Sequence, residues 1–182
     1  IRWLKACRMT CRTIRDIKVR NKRVLVRADF NVPLAHGHVM DDTRIRAVAP
    51  TLQNLLSRSA SVILCSHLGR PDGRRVPELS LRPVALELAG ILGRRVTFVE
   101  DCLGPVARLA VERMLPGEIL LLENTRFHPG EQENDSEMAS GLAELADIFV
   151  SDAFGSAHRR HSSIVGVAQM LPAVAGLLLE QE

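Results

Sequence analysis

Residues 24–33 read VLVRADFNVP, and this stretch decides the architecture. Its first half is a short apolar run, as expected of a strand covered on both faces. Arg27, Asp29 and Asn31 then intrude at every second position. A strand alternates faces with a period of two, so the pattern predicts three polar groups on one side. Buried charge is costly without a partner, so either an ion pair or a polar ligand must compensate them. For Arg27, inside the run, the expected partner is a buried acid.

Four more apolar segments follow, and with the first they predict strands at 24–30, 62–66, 96–99, 119–123 and 148–151. Segments of helical period lie between them. The first, 44–58, places Ile45, Val48, Leu52, Leu55 and Leu56 on one stripe. A second starts from Ser80 as its cap and carries Val84, Leu88 and Ile91. Others cover 106–114 and 137–146, the latter preceded by the candidate caps Asp135 and Ser136, and a last one is expected from Ala173 onward. Strand and helix in alternation predict an α/β fold: a parallel sheet covered by helices on both faces, a Rossmann-like three-layer sandwich.

The chain has 182 residues, enough for one substantial domain. No apolar run approaches the roughly 20 residues of a membrane span. The basic start IRWLKACRMTCR lacks the apolar core of a secretory signal, and residues 1–8 read as an upstream extension before Met9. Of the cysteines, Cys65 sits in an apolar strand and should pack as a small hydrophobe, while Cys7 and Cys11 lack a second pair of zinc ligands. Reduced thiols in a cytoplasm are expected. The net charge of +3, the single Trp and the lack of Tyr argue against a nucleic-acid groove. Lys5, Lys18 and Lys22 are the only lysines, so arginine supplies nearly all the positive charge.

In open α/β sheets, ligands bind beyond the carboxyl ends of the strands. Those ends read RADFN, SHLGRP, VEDCLGP, ENTRFHPG and SDAFGSAHRRH in chain order. The third supplies acids and no arginine, while the other four carry Asn, His or Arg suited to an anion. Arg70, Arg126 and Arg159 come from three different loops, and Arg44 opens the first helix. Guanidinium groups offer paired donors to phosphate and carboxylate oxygens. His67, His128 and His158 could add donors, and Gly69, Gly130 and Gly155 let backbone approach a ligand. The blander expectations are that His36 and His38, in AHGH, are exposed loop residues and that the acidic run EQEND at 131–135 is a solvated turn. There is no GxxxxGK[ST] loop, GxGxxG turn or GxSxG elbow. The rim therefore suits a small anion, and no nucleotide cradle accompanies it.

At these residues the sequence resembles the amino-terminal domain of the phosphoglycerate kinase family, from about Thr13 to the last residue. VLVRADFNVPL, DDTRIRAVAPTL, SHLGRPDG, LSLRPVALELAGILG, GEILLLENTRFHPGE and SDAFGSAHRRHSSIVGV each resemble the family in turn. The resemblance implies reversible phosphoryl transfer between 1,3-bisphosphoglycerate and ADP, giving 3-phosphoglycerate and ATP in glycolysis. By the same resemblance, Asp29, Asn31 and Arg44 contact the glycerate part of the substrate, and His67, Arg70, Arg126 and Arg159 surround its phosphate. Arg44 is the residue expected to stabilise the transferring group, and His67 positions and does not act as a base. The resemblance further implies a nucleotide-binding domain, absent here, that holds most of the magnesium and its ATP or ADP. On this reading residues 9–182 are the phosphoglycerate-binding half, monomeric, without nucleic-acid or membrane partners, and inactive alone. The alternative is a non-catalytic anion-binding module that retains the kinase scaffold. A stop codon directly after residue 182 would favour the module; a frame continuing into a glycine-rich α/β segment would favour the enzyme.

Overall fold

The computed structural model describes residues 12–156 and 159–181. The expected upstream extension, Cys7, Cys11 and His158 lie outside the described residues. The elements in chain order are β1 (Arg23–Ala28), β2 (Leu34–Ala35), β3 (His38–Val39), α1 (Thr43–Ser57), β4 (Ser61–Cys65), α2 (Arg82–Leu92), β5 (Thr97–Val99) and α3 (Gly104–Glu112). They continue with β6 (Ile119–Leu122), α4 (Gly130–Glu133), α5 (Ser136–Ala143), β7 (Ile148–Asp152), α6 (Val167–Met170), β8 (Ala173–Ala175) and α7 (Leu177–Gln181).

Six strands form one parallel sheet in the order β5-β6-β4-β1-β7-β8. Alternate side chains feed two separate cores. Val24, Val26, Val62, Leu64 and Val150 face Val48, Leu52 and Leu88 of α1 and α2. Leu25, Ile63, Leu120 and Phe149 face Ala107 of α3 and Met138 and Leu142 of α5. The three-layer α/β sandwich follows directly from that division. Each fully buried leucine or valine stabilises the fold by roughly 1.5–3 kcal/mol. Cys65, fully buried in the second core, packs as a small hydrophobe.

Two local expectations change and two hold. The segment from Ala173 does not begin a helix: Ala173–Ala175 pairs with Phe149–Ser151 as β8, and the helix starts only at Leu177. Three residues are too few to show a period, so the pairing partner decides. Ser80 precedes the N-cap Leu81 of α2, and its hydroxyl accepts from Arg82 N at 3.2 Å. Asp135 does cap α5, accepting from Met138 N at 2.8 Å. Finally, AHGH is the turn of the hairpin β2–β3, with His36 at φ 51° and Gly37 at φ 76°, and both histidines are exposed as expected.

The chain leaves β1 toward β4 on one side and returns at β7 on the other. The switch between β1 and β7 opens a crevice at their carboxyl ends. The four loops that carry the expected cations follow β6, β4, β1 and β7, which are neighbours in the sheet. The third end, VEDCLGP, follows the edge strand β5 and is outermost.

Candidate functional site

β1 ends at Ala28, so only Arg27 of the three polar residues belongs to the strand's alternation. The other two lie in the loop beyond it and find different partners. Asp29, 8% exposed, accepts from Arg44 Nη1 through Oδ2 at 2.7 Å. Its Oδ1 accepts from Asn31 N at 3.2 Å. Asn31 Oδ1 in turn accepts from Gly69 N at 2.9 Å, and the Gly69 carbonyl accepts from Arg126 Nη1 at 2.6 Å. A continuous bonded path thus runs from Arg44 through Asp29, Asn31 and Gly69 to Arg126, across the ends of three strands.

Two glycines make the path fit. Gly69 has φ +62°, a conformation that L side chains rarely adopt, and a Cβ there would also press Leu79 at 2.7 Å. A Cβ on Gly155 would lie 2.7 Å from Asp29 Oδ2, inside the Asp29–Arg44 pair. Asp29, Arg44, Ala47, Phe154, Gly155 and Leu178 line a cleft of about 230 Å³ at the β1–β7 switch. Arg44 itself, on the first turn of α1, has a half-exposed side chain.

The second half of the site is buried cation. Asn124 holds its loop down: its Oδ1 accepts from Leu68 N and Arg126 N at 3.2 and 3.1 Å, and its Nδ2 donates to the Leu68 carbonyl at 2.7 Å. Arg126 is consequently 3% exposed, and its Nε has no partner among the described residues. Burial, and then the charges of Arg159 and Arg27, lower the pKa of its guanidinium. His67, 4% exposed, is pushed down to about 2 by burial and by Arg27, Arg126, Arg159 and His161 around it. Its imidazole is neutral across the physiological range. Arg70 is exposed and Arg159 half-buried, and both add their charge at Arg126. A buried donor without a partner amid like charges is costly, and an anion would relieve both penalties.

Arg27 corrects the first expectation. It is fully buried, but no acid pairs with it directly among the described residues. Its Nε donates to Ser163 Oγ at 2.9 Å, its Nη2 donates to His67 Nδ1 at 3.0 Å, and its Nη1 donates to the Ala28 carbonyl. The acid stands one hydroxyl further away. Ser163 Oγ donates to Glu131 Oε1 at 2.6 Å, and Ser163 N donates to Glu131 Oε2 at 3.0 Å. Glu131 is 0% exposed, which overturns the solvated turn expected for EQEND, although Gln132 and Glu133 beside it are exposed. Ser163 reaches it from a π-helical turn, Ser162–Gly166. His161, 8% exposed and with Nδ1 at 3.8 Å from Glu131 Oε1, completes the cluster. Burial lowers its pKa and Glu131 opposes that shift. Sequence reasoning missed Glu131, Ser163 and His161. Only His161 left a signal, as the end of the basic run HRRH.

His128 does not join the cations. Its Nε2 donates to Asp101 Oδ1 at 2.7 Å, on the rim of a separate hollow. Asp101, Cys102 and His128 bring ligand-type atoms within 4.8 Å of one another, a set that suits a soft divalent metal. The same Asp101 oxygen already accepts from Cys102 N and Leu103 N at the start of α3, and burial pushes the Cys102 thiol well up. The group therefore has a structural explanation.

The phosphoglycerate kinase family model matches residues 14–182. The chain belongs to the phosphoglycerate kinase family. It is 57% identical over 171 residues to the phosphoglycerate kinase of Thermomicrobium roseum, a match covering 94% of this chain and 44% of that protein. The Moorella thermoacetica phosphoglycerate kinase is 58% identical over 170 residues, covering 93% and 43% respectively. Among solved structures, the phosphoglycerate kinases of Coxiella burnetii and Pyrococcus horikoshii both superpose with a TM-score of 0.85, at 40% and 32% identity. The chain spans less than half the length of these phosphoglycerate kinases, 43–44%. Within the family's expected site, Asp29, Asn31, Arg44, His67, Arg70, Arg126 and Arg159 all lie at the carboxyl ends of β1, β4, β6 and β7 or on the first turn of α1. No helix of the described residues is long and apolar enough to cross a membrane.

Proposed function

We propose that this chain supplies the phosphoglycerate-binding side of a phosphoglycerate kinase. The reaction is reversible phosphoryl transfer between 1,3-bisphosphoglycerate and ADP, giving 3-phosphoglycerate and ATP. The observation that carries the reading is the cationic end of the sheet, where buried Arg126 keeps an unpartnered Nε among Arg27, Arg70 and Arg159. Such transfer asks mainly for positioning and for stabilisation of charge on the moving phosphoryl. His67, Arg70, Arg126 and Arg159 hold the substrate phosphate. Asp29 and Asn31 meet its glycerate hydroxyl and carboxyl. Arg44, half-exposed on a helix start and held by Asp29, meets the charge on the transferring group. The neutral imidazole of His67 donates a hydrogen bond and takes no proton. The setting is a cytoplasm, with the protein as a monomer.

A magnesium nucleotide does not fit these residues. Of the carboxylates beside the cations, Asp29 is held by Arg44 and Glu131 by Ser163, and Asp152 is fully buried. Nucleotide and Mg²⁺ therefore bind on sequence that the longer relatives have and these residues lack, and alone the chain catalyses nothing. The test is titration of the protein with 3-phosphoglycerate and with ATP while arginine side-chain NMR signals are followed. Phosphoglycerate should perturb Arg44, Arg70, Arg126 and Arg159. A response to ATP at that rim with none to phosphoglycerate refutes the assignment.

A further inference from the structure

The buried end of the site holds one acid that touches no surface. Every hydrogen bond along the path from it has a forced direction. A carboxylate only accepts, so Ser163 Oγ must donate to Glu131 Oε1 at 2.6 Å. A guanidinium only donates, so the same hydroxyl accepts from Arg27 Nε at 2.9 Å. Arg27 Nη2 must likewise donate to His67 Nδ1 at 3.0 Å. Nδ1 therefore carries no proton, and the neutral imidazole's single N–H lies on Nε2. The tautomer follows from the network.

We propose that Glu131 and Ser163 are positioning residues: through Arg27 they lock His67 as a neutral ring that presents Nε2–H toward the anion site. This deepens the phosphoglycerate reading and rests on it for the identity of the anion. Neither residue touches substrate, since both are fully buried. Their work is on orientation and charge. Glu131 is the acid set against Arg126 and His161, and it raises the pKa of both against the lowering that burial imposes. Its carboxylate is held by both the backbone N–H and the hydroxyl of Ser163, so it cannot swing to form a direct pair that would pull Arg27 off His67. A neutral donor binds the phosphate without adding one more charge to a crowded cluster. It also keeps its geometry constant as pH changes.

The experiment uses the full-length gene product with ¹⁵N-labelled histidine, in wild type, Ser163→Ala, Glu131→Gln and the hydroxyl-retaining Ser163→Thr. In wild type, His67 should show one protonated and one bare ring nitrogen, with Nε2 protonated, unchanged from pH 8 to pH 5. In Ser163→Ala and Glu131→Gln, the ring should become a tautomer mixture or begin to titrate in that range. The KM for 3-phosphoglycerate should rise about tenfold, the effect of one hydrogen bond to a charged group, while kcat stays within about threefold. Ser163→Thr should restore the wild-type pattern. Wild-type His67 protonated on Nδ1, or titrating between pH 5 and 8, overturns the proposal without any variant, so a variant that fails to fold does not shelter it. Folded Ser163→Ala and Glu131→Gln with wild-type His67 spectra and KM overturn it as well. If 3-phosphoglycerate leaves the wild-type protein unperturbed, the substrate assignment fails, while the tautomer result still decides the relay.

Discussion

One loop builds two opposite environments. Between β6 and α4, Arg126 turns into the cation cluster, and two residues later His128 turns out to Asp101. The hollow beside His128 is the larger, about 710 Å³ against about 230 Å³ for the cleft beside Arg44. Its lining includes Glu133, Asp135, Glu137 and Glu144 against Arg108, so an anion gains little there. The smaller cleft holds one guanidinium, Arg44, paired with Asp29, and the further guanidinium charges gather around Arg126. On the proposed reading, uncompensated charge and not volume locates the site.

The sharpest break of this contrast is Arg44→Ala in the full-length gene product. If Arg44 meets charge on the transferring phosphoryl, turnover should fall at least about 10²-fold, as when one preorganised donor is lost. The fold should hardly notice. Arg44 is half-exposed although Asp29 is buried, so water can reach the carboxylate left behind and the loss should be on the order of 1 kcal/mol. Steady-state kinetics beside a denaturant titration separate the two, and normal turnover removes Arg44 from its role.

Arg159→Ala probes the phosphate end. It removes one charge-assisted contact, so 3-phosphoglycerate should bind about 1.5–3 kcal/mol more weakly. Calorimetric titration gives the answer directly, and unchanged affinity places Arg159 outside the phosphate patch.

Much of this arrangement was legible in the sequence. The five apolar runs emerged as strands with ends shifted by a residue or two, because burial on both faces leaves little composition but Val, Ile and Leu. The rule that ligands lie past strand ends gathers Asp29, Asn31, His67, Arg70, Arg126 and Arg159 from the sequence. What escaped notice was set by tertiary partners. Glu131 sits in an acidic run that resembles any solvated turn, and only the π-helical turn bearing Ser163 makes its burial tolerable. Arg27 was expected to meet an acid, and it meets one only through a hydroxyl. His128 has the composition of a site residue, but Asp101 claims it from a strand end that carries no arginine.

The cation cluster also leaves a thermodynamic trace that the hollow should not. His67 resists protonation down to about 2 in the folded protein, whereas an unfolded histidine takes its proton near pH 6.5. Below about pH 6.5 the unfolded state therefore binds one more proton, and stability is lost as pH falls from there toward 2. A whole proton of difference corresponds to about 1.4 kcal/mol per pH unit. His67→Gln should flatten the stability profile between pH 6 and pH 4 by up to that slope. An unaltered profile in a folded variant would mean that His67 charges freely, and the cluster would not be as desolvated as its geometry implies.

The smallest effect is expected on the other side of the loop. His128→Ala breaks the bond to Asp101, but both side chains are about one-third exposed, so water can replace the partner. Asp101 keeps its backbone donors Cys102 N and Leu103 N, so α3 should still start where it does. Stability should change by less than about 1 kcal/mol, and affinity for 3-phosphoglycerate should not change at all. A measurable loss of affinity in this variant would show that the two environments communicate through residues 126–128. In that case the separation of charge between them could no longer be treated as two independent regions of the same loop.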